Sequence, residues 1–286
     1  MTEERWYLGF LGNVDSSILD VKLQNNFTIE KMTVPEYKEF ILIPEKNRIT
    51  KKYVDDVISR DYPIVYENEI FFIKSSSENY FKNREYLHNA ISLCKLFADG
   101  EIVIPIELET AIINEKKLID VHSASSNLTH FYYKPMFSLK TSNIKELNEC
   151  LKTTKIPLEK QWLNLSLENY NQSYKSFENN LSFLSLMISL EILFNPGIYE
   201  LKYRISRNAA VFLGNFNGMD SKKVYSEISK LYDDRSKIVH TGRTDIIDDS
   251  DLLKLRGYVR ESIRLMIINK MDKDDLLERL NILGFK

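Results

Sequence analysis

The sequence predicts an α+β domain followed by an all-α helical bundle. Three observations predict it. The first half carries short β-rich runs around one clear helix, the second half changes to helical periodicity, and the change falls near residue 155, at Ile156 and Pro157. Domains of 1–155 and 156–286 follow, and 286 residues suffice for two modest cores. A chain that is 43% apolar and 28% charged excludes collagen, coiled-coil rod and intrinsic disorder. With 39 basic against 41 acidic side chains, binding nucleic acid through bulk positive charge is also excluded, while a local basic patch is not.

The elements follow in order. Strands are expected at Arg5 to Leu11, Asn26 to Glu30 and Glu39 to Ile43. Pro63 to Lys74 reads as a hairpin turning at Glu67, Asn68 and Glu69. Tyr86, Ala90, Leu93 and Phe97 recur at helical spacing, so a helix is expected over Tyr80 to Ala98, stopped by Asp99 and Gly100. Further strands are expected at Glu101 to Ile106 and Phe131 to Leu139. Leu158 to Phe194 is mostly helix-compatible, its apolar density rising towards the end, and Asn195, Pro196 and Gly197 break it. Tyr199 to Phe212 is a second helical stretch. Ser221 caps a third that Thr241 and Gly242 end. Asp248 and Ser250 open a fourth, running to Lys270, and Asp272 to Leu283 forms a short last helix. Four principal helices with short connections make an antiparallel bundle.

Location is read from absences. No segment approaches the ~18 uninterrupted apolar residues of a membrane helix. The start, Met1 to Trp6, reads as lacking a leader peptide. Cys94 and Cys150 form neither a metal spacing nor a disulfide framework, so a cytoplasmic chain is expected, with Cys94 in a core.

The sequence has no phosphate-binding glycine loop, no HExxH and no GxSxG, and its N-terminal half shows no catalytic constellation. Of the four histidines, His122 and His130 lie eight apart without a carboxylate or Cys cluster, so no metal is expected there, and His88 reads as a helix-surface residue. His240 has different neighbours. Arg235 stands five positions before it, roughly 140° away on an ideal helix. Unwinding at Thr241 and Gly242 would bring the imidazole back towards the guanidinium. A fixed Arg beside a His suits phosphodiester chemistry: the guanidinium holds the phosphate and its growing charge, and the imidazole moves a proton at neutral pH. A plainer reading stands beside it, a cationic His placed favourably near a helix C-terminus by about 0.3–1 kcal/mol.

The surrounding residues resemble the HEPN superfamily, and within it the Apea-like group. The resemblance runs through LEILF (190–194), ELKYRISRNAA (200–210) and LYDDRSKIVH (231–240), across about residues 160–280. The chain departs from that group in placing Thr241 between His240 and Gly242. The resemblance implies a HEPN-type bundle that dimerises and cleaves RNA without metal or cofactor, with Arg235 and His240 as the catalytic motif at the dimer interface. It implies 2′,3′-cyclic phosphate and 5′-hydroxyl ends, and a prokaryotic anti-phage or toxin-type effector. The N-terminal domain would then sense a trigger or hold an inhibitor.

Supporting residues are also expected. Ser236 sits where relatives carry a polar residue and could bind a phosphate oxygen, or is an exposed helix Ser. Glu191, inside an apolar run, needs a partner among Arg235, Arg204 and Arg207, and an orienting role is favoured over direct catalysis. Leu252, Leu255, Val259, Ile263 and Met266 form an apolar stripe. Arg256, Arg260 and Arg264 make a ridge along it that, with Arg204 and Arg207, would track an RNA backbone, or else is a solvated flank paired with Glu261. The alternative function is a HEPN dimer that binds nucleotide, RNA or a partner protein without cutting.

Overall fold

A computed structural model describes residues 6–40, 52, 65–76, 80–110, 113–114, 117–118, 121–126, 135–176, 178–195, 197, 199–243 and 246–286. The chain divides into two compact units, Met1–Thr153 and Thr154–Lys286. The first is α+β and the second is helical.

The first unit is built on an antiparallel sheet. Its strands are β1 (Trp6–Gly12), β2 (Thr28–Thr33), β3 (Val65–Tyr66), β4 (Glu69–Ser76), β5 (Val103–Thr110) and β8 (Val121–Ser126), and a separate small hairpin joins β6 (Ile113–Asn114) to β7 (Lys117–Leu118). The order is β2-β4-β1-β5-β8, with β3 on β4. Central β1 buries Tyr7, Leu8, Phe10 and Leu11, so alternate residues are covered on both faces. On one face Phe10 meets Tyr37 of helix α1 (Val34–Phe40), ring edge to ring face at 5.7 Å. On the other, helix α2 (Tyr80–Cys94) comes so close that a Cβ on Gly9 would lie 3.2 Å from Leu87 Cδ2. The β3–β4 hairpin turns at Glu67 and Asn68, both at positive φ, as the sequence predicts.

Three expectations for this unit change. Residues 39–40 end helix α1 rather than begin a strand, and 41–43 lie outside the described residues. The cause is a capping box: Thr33 N donates to Glu36 Oε2 (2.8 Å) and Glu36 N to Thr33 Oγ1 (3.3 Å). Residues 135–139 form no strand. Phe137 makes an isolated bridge to Val14, its N–H donating to Asn13 O at 2.9 Å, and 131–134 lie outside the described residues. Helix α3 (Thr141–Thr153), which the sequence reading passes over, buries Leu147, Cys150 and Leu151. Both cysteines are buried and outside any disulfide; burial first, then neighbouring Cys150, pushes the Cys94 thiol up to about 12, so it stays protonated.

The second unit holds α4 (Gln161–Gln172), α5 (Asn179–Phe194), α6 (Leu201–Asn217), α7 (Ser221–Thr241), α8 (Asp249–Ile268) and α9 (Lys273–Ile282). The expected single stretch 158–194 is two helices. Tyr174 turns inward at the break and its hydroxyl lies 3.1 Å from that of Tyr170. Three of these helix starts are set by aspartates. Asp220, rather than Ser221, accepts from Lys222 N and Lys223 N, and Asp248 and Asp272 cap α8 and α9. Helix α5 packs against α4, α6, α7 and α8 and buries Phe183, Leu186, Met187, Leu190, Leu193 and Phe194. Each such side chain contributes about 1.5–3 kcal/mol of transfer free energy. Ser166 and Ser189 lie 2.7 Å apart across the α4–α5 contact, where small side chains let the helices close. Among the described residues, no helix is long and apolar enough to cross a membrane.

Candidate functional site

Helix α7 carries the expected Arg–His pair. Val224, Ile228, Leu231 and Ile238 define its buried side. Arg235 lies at the edge of that side, half-buried, and its Nε is 3.5 Å from Glu191 Oε1 on α5. Tyr232, one turn earlier, lies under the guanidinium at 5.9 Å, with its hydroxyl towards the Glu191 carboxylate. Of the three partners expected for Glu191, Arg235 is the one found. Arg204 is exposed beside Glu200 at 3.7 Å. Arg207 clamps the C-terminal segment by donating to Leu280 O (2.9 Å) and Leu283 O (3.0 Å).

The electrostatics of the group follow from burial. Burial pushes the Glu191 carboxyl above its usual range, and the Arg235 charge and the Tyr232 hydroxyl pull it back. Burial, then the Glu191 charge, raises Tyr232, with Arg235 opposing. Glu191 Oε1 is buried and accepts no hydrogen bond, so Arg235 holds it by charge at a distance too long for a well-formed one.

His240 is placed differently. Helix α7 runs on through Thr241, and Gly242, at φ 68°, closes it by donating its N–H to Ile238 O (3.1 Å). The expected unwinding at His240 therefore does not occur, because the left-handed cap needs a residue without Cβ strain and Gly242 is the first. On the continuous helix His240 lies ~140° from Arg235 and nearly opposite the buried side, exposed to solvent. Within one chain the two side chains do not share a face. Ser236 is half-buried, one turn before His240.

The arginine ridge on α8 is corrected. Its apolar stripe is buried as expected, but Arg256 is only 4% exposed. Arg256 donates to Ser173 O (3.1 Å) and lies 4.3 Å over the Tyr174 ring, pinning the α4–α5 break. It offers nothing to RNA. Arg260 and Arg264 have side chains only 13% and 18% exposed and close on Glu261 at 3.4 and 2.7 Å, the paired flank that the sequence offered as the alternative.

The first unit contains a cluster that sequence reasoning missed. Glu107, on β5, has a side chain 2% exposed. Its Oε1 accepts from Tyr7 Oη (2.5 Å) and lies 3.1 Å from His88 Nε2, and its Oε2 accepts from Arg84 Nε (2.9 Å). Arg84 and His88 stand four apart on α2 and so share a face, a spacing visible in the sequence. The carboxylate they converge on was not visible. Strand register sets Glu107 opposite Gly9, where α2 passes closest. Among the described residues, no three His, Cys, Asp or Glu side chains are grouped to hold a metal. His130, and the side chain of His122, lie outside the described residues.

No family model, curated protein or solved structure matches the chain.

Proposed function

We propose that the protein is a HEPN-type endoribonuclease that works as a homodimer in the cytoplasm, in prokaryotic anti-phage defence or as a toxin-type effector. The observation that carries this reading is the placement of Arg235. It is held by Glu191 and Tyr232 at the edge of the core, and Val239 follows one turn on, 50% exposed. On α5, Leu181 and Ile188 line the same outward stripe as Glu191 and are 52% and 45% exposed. An apolar stripe around a fixed cation suits a two-fold contact.

The dimer resolves the separation of Arg235 from His240. In a single chain His240 faces away, whereas across a two-fold axis two exposed imidazoles can flank one phosphate. One imidazole takes the proton of the 2′-hydroxyl as that oxygen attacks phosphorus. The bond to the 5′-oxygen breaks, and the second imidazole, protonated, returns a proton to it. Arg235 stabilises the charge on the equatorial oxygens. The products are a 2′,3′-cyclic phosphate and a 5′-hydroxyl. Ser236 and Arg204 are left as RNA contacts, Arg260 and Arg264 being closed on Glu261, and the N-terminal unit receives the trigger or inhibitor.

A second reading has its own observation. The lack of a shared face for Arg235 and His240 favours a dimer that binds RNA or nucleotide without cutting. Sequencing RNA ends from cells expressing the parent and the His240→Ala variant separates the two. Cyclic-phosphate ends that vanish in the variant support the nuclease. RNA bound and left intact by the parent under every trigger supports the binding module.

A further inference from the structure

A carboxylate only 2% exposed in the middle of a strand is costly, and an apolar side chain would stabilise the sheet at least as well. The three donors around Glu107 satisfy it, yet two of them point outward: the Arg84 and His88 side chains are 40% and 42% exposed. Glu107 thus fixes the planes of a guanidinium and an imidazole that both reach solvent. One turn before Arg84 on the same face of α2 is Phe81, 77% exposed. The face therefore reads aromatic, guanidinium, imidazole, over about two helical turns.

We infer that this face of the N-terminal unit binds a nucleoside monophosphate, its phosphate between Arg84 and His88 and its base against Phe81. An oriented guanidinium matches a phosphate better than a mobile one, because less freedom is lost on binding. Aromatic rings stack on any base. Its residues all belong to the first unit, whereas Arg235 and His240 belong to the second, and neither reading depends on the other.

The test uses the full chain, labelled with ¹³C-histidine. Four imidazole resonances are expected, and His88→Gln assigns the one that matters. Titration with adenosine 5′-monophosphate should move the His88 signal saturably, inorganic phosphate should do so more weakly, and adenosine should not. Arg84→Gln and Arg84→Lys should each weaken the response tenfold or more, the other three signals staying in place as evidence of an intact fold. Phe81→Ala should weaken the nucleotide but not inorganic phosphate. An unmoved His88 signal, or a response as strong as the parent's in both Arg84 variants, overturns the site. An unchanged nucleotide affinity in Phe81→Ala overturns the base contact.

Discussion

Each unit carries an arginine followed closely by a histidine, and the two pairs are built in opposite ways. Arg84 and His88 are four apart, share a helix face and meet on the two oxygens of Glu107. Arg235 and His240 are five apart, and only the arginine is held, by Glu191. One added residue turns the second imidazole ~100° further round the helix. The first pair meets within its chain, whereas the second does not, and only the proposed dimer would complete it. A spacing in sequence therefore names candidates, and the carboxylate that orients them decides whether they form a site.

The largest effect expected from this contrast is on cleavage. Arg235→Ala or His240→Ala should each lower the rate of RNA cleavage by about 10²–10⁴-fold, measured with EDTA present, while size-exclusion elution and thermal melting stay as in the parent. Parental rates in both α7 variants would end the nuclease reading.

How much of this was readable beforehand follows the same division. The helices of the second unit were legible because their apolar positions repeat at 3.6 residues and Asp248, Asp272 and Gly242 mark ends chemically. The break between α4 and α5 was not, because Tyr170 and Tyr174 keep helical spacing while Arg256, from α8, holds the turn between them and Glu178. Arg256 itself read as a surface residue because charge suggests solvent, and only the Tyr174 ring and the Ser173 carbonyl explain its burial. In the first unit the Glu67–Asn68 turn was legible from its residue types. Glu107 was not, since Tyr7, Arg84, His88 and Glu107 lie up to a hundred positions apart and strand register assembles them. Thr33 and Glu36 did signal a helix start, and the β-rich residues after them obscured it.

A middling effect should appear in stability, and its direction tests how the first pair works. Removing Arg84 leaves the buried Glu107 carboxylate with fewer donors, so Arg84→Ala should cost about 2–3 kcal/mol. Removing the charge of Glu107 leaves Arg84 and His88 two-fifths open to water, where they rehydrate, so Glu107→Gln should cost about 1 kcal/mol. The chain has two tryptophans, Trp6 in β1 and Trp162 in α4, so urea unfolding in a Trp162→Phe background reports the first unit through Trp6 alone. A larger cost for Glu107→Gln would mean that the carboxylate acts as a structural clamp and not as an orienting group.

The smallest effect concerns Glu191 and is read from its pH dependence. Burial raises this carboxyl above its usual value of about 4.5 in the folded state. The folded chain therefore holds a proton on Glu191 over a window just above 4.5 in which the unfolded chain has released it. The resulting stabilisation is fully present below that window and is lost as pH rises through the folded value. Glu191→Gln lacks this titration, so the parent should lose stability relative to the variant as pH climbs from 4.5, and the difference should level off once Glu191 is ionised. Above the window the variant escapes the cost of a half-buried charge but leaves Arg235 without its anchor, so cleavage should fall even where stability does not. Urea midpoints of the two proteins at several pH values, followed through Trp162 in a Trp6→Phe background, check the first part, and cleavage at neutral pH checks the second. A parent that gains on the variant as pH rises would show that Arg235 outweighs burial, and an unchanged cleavage rate in Glu191→Gln would remove Glu191 as the residue that positions Arg235.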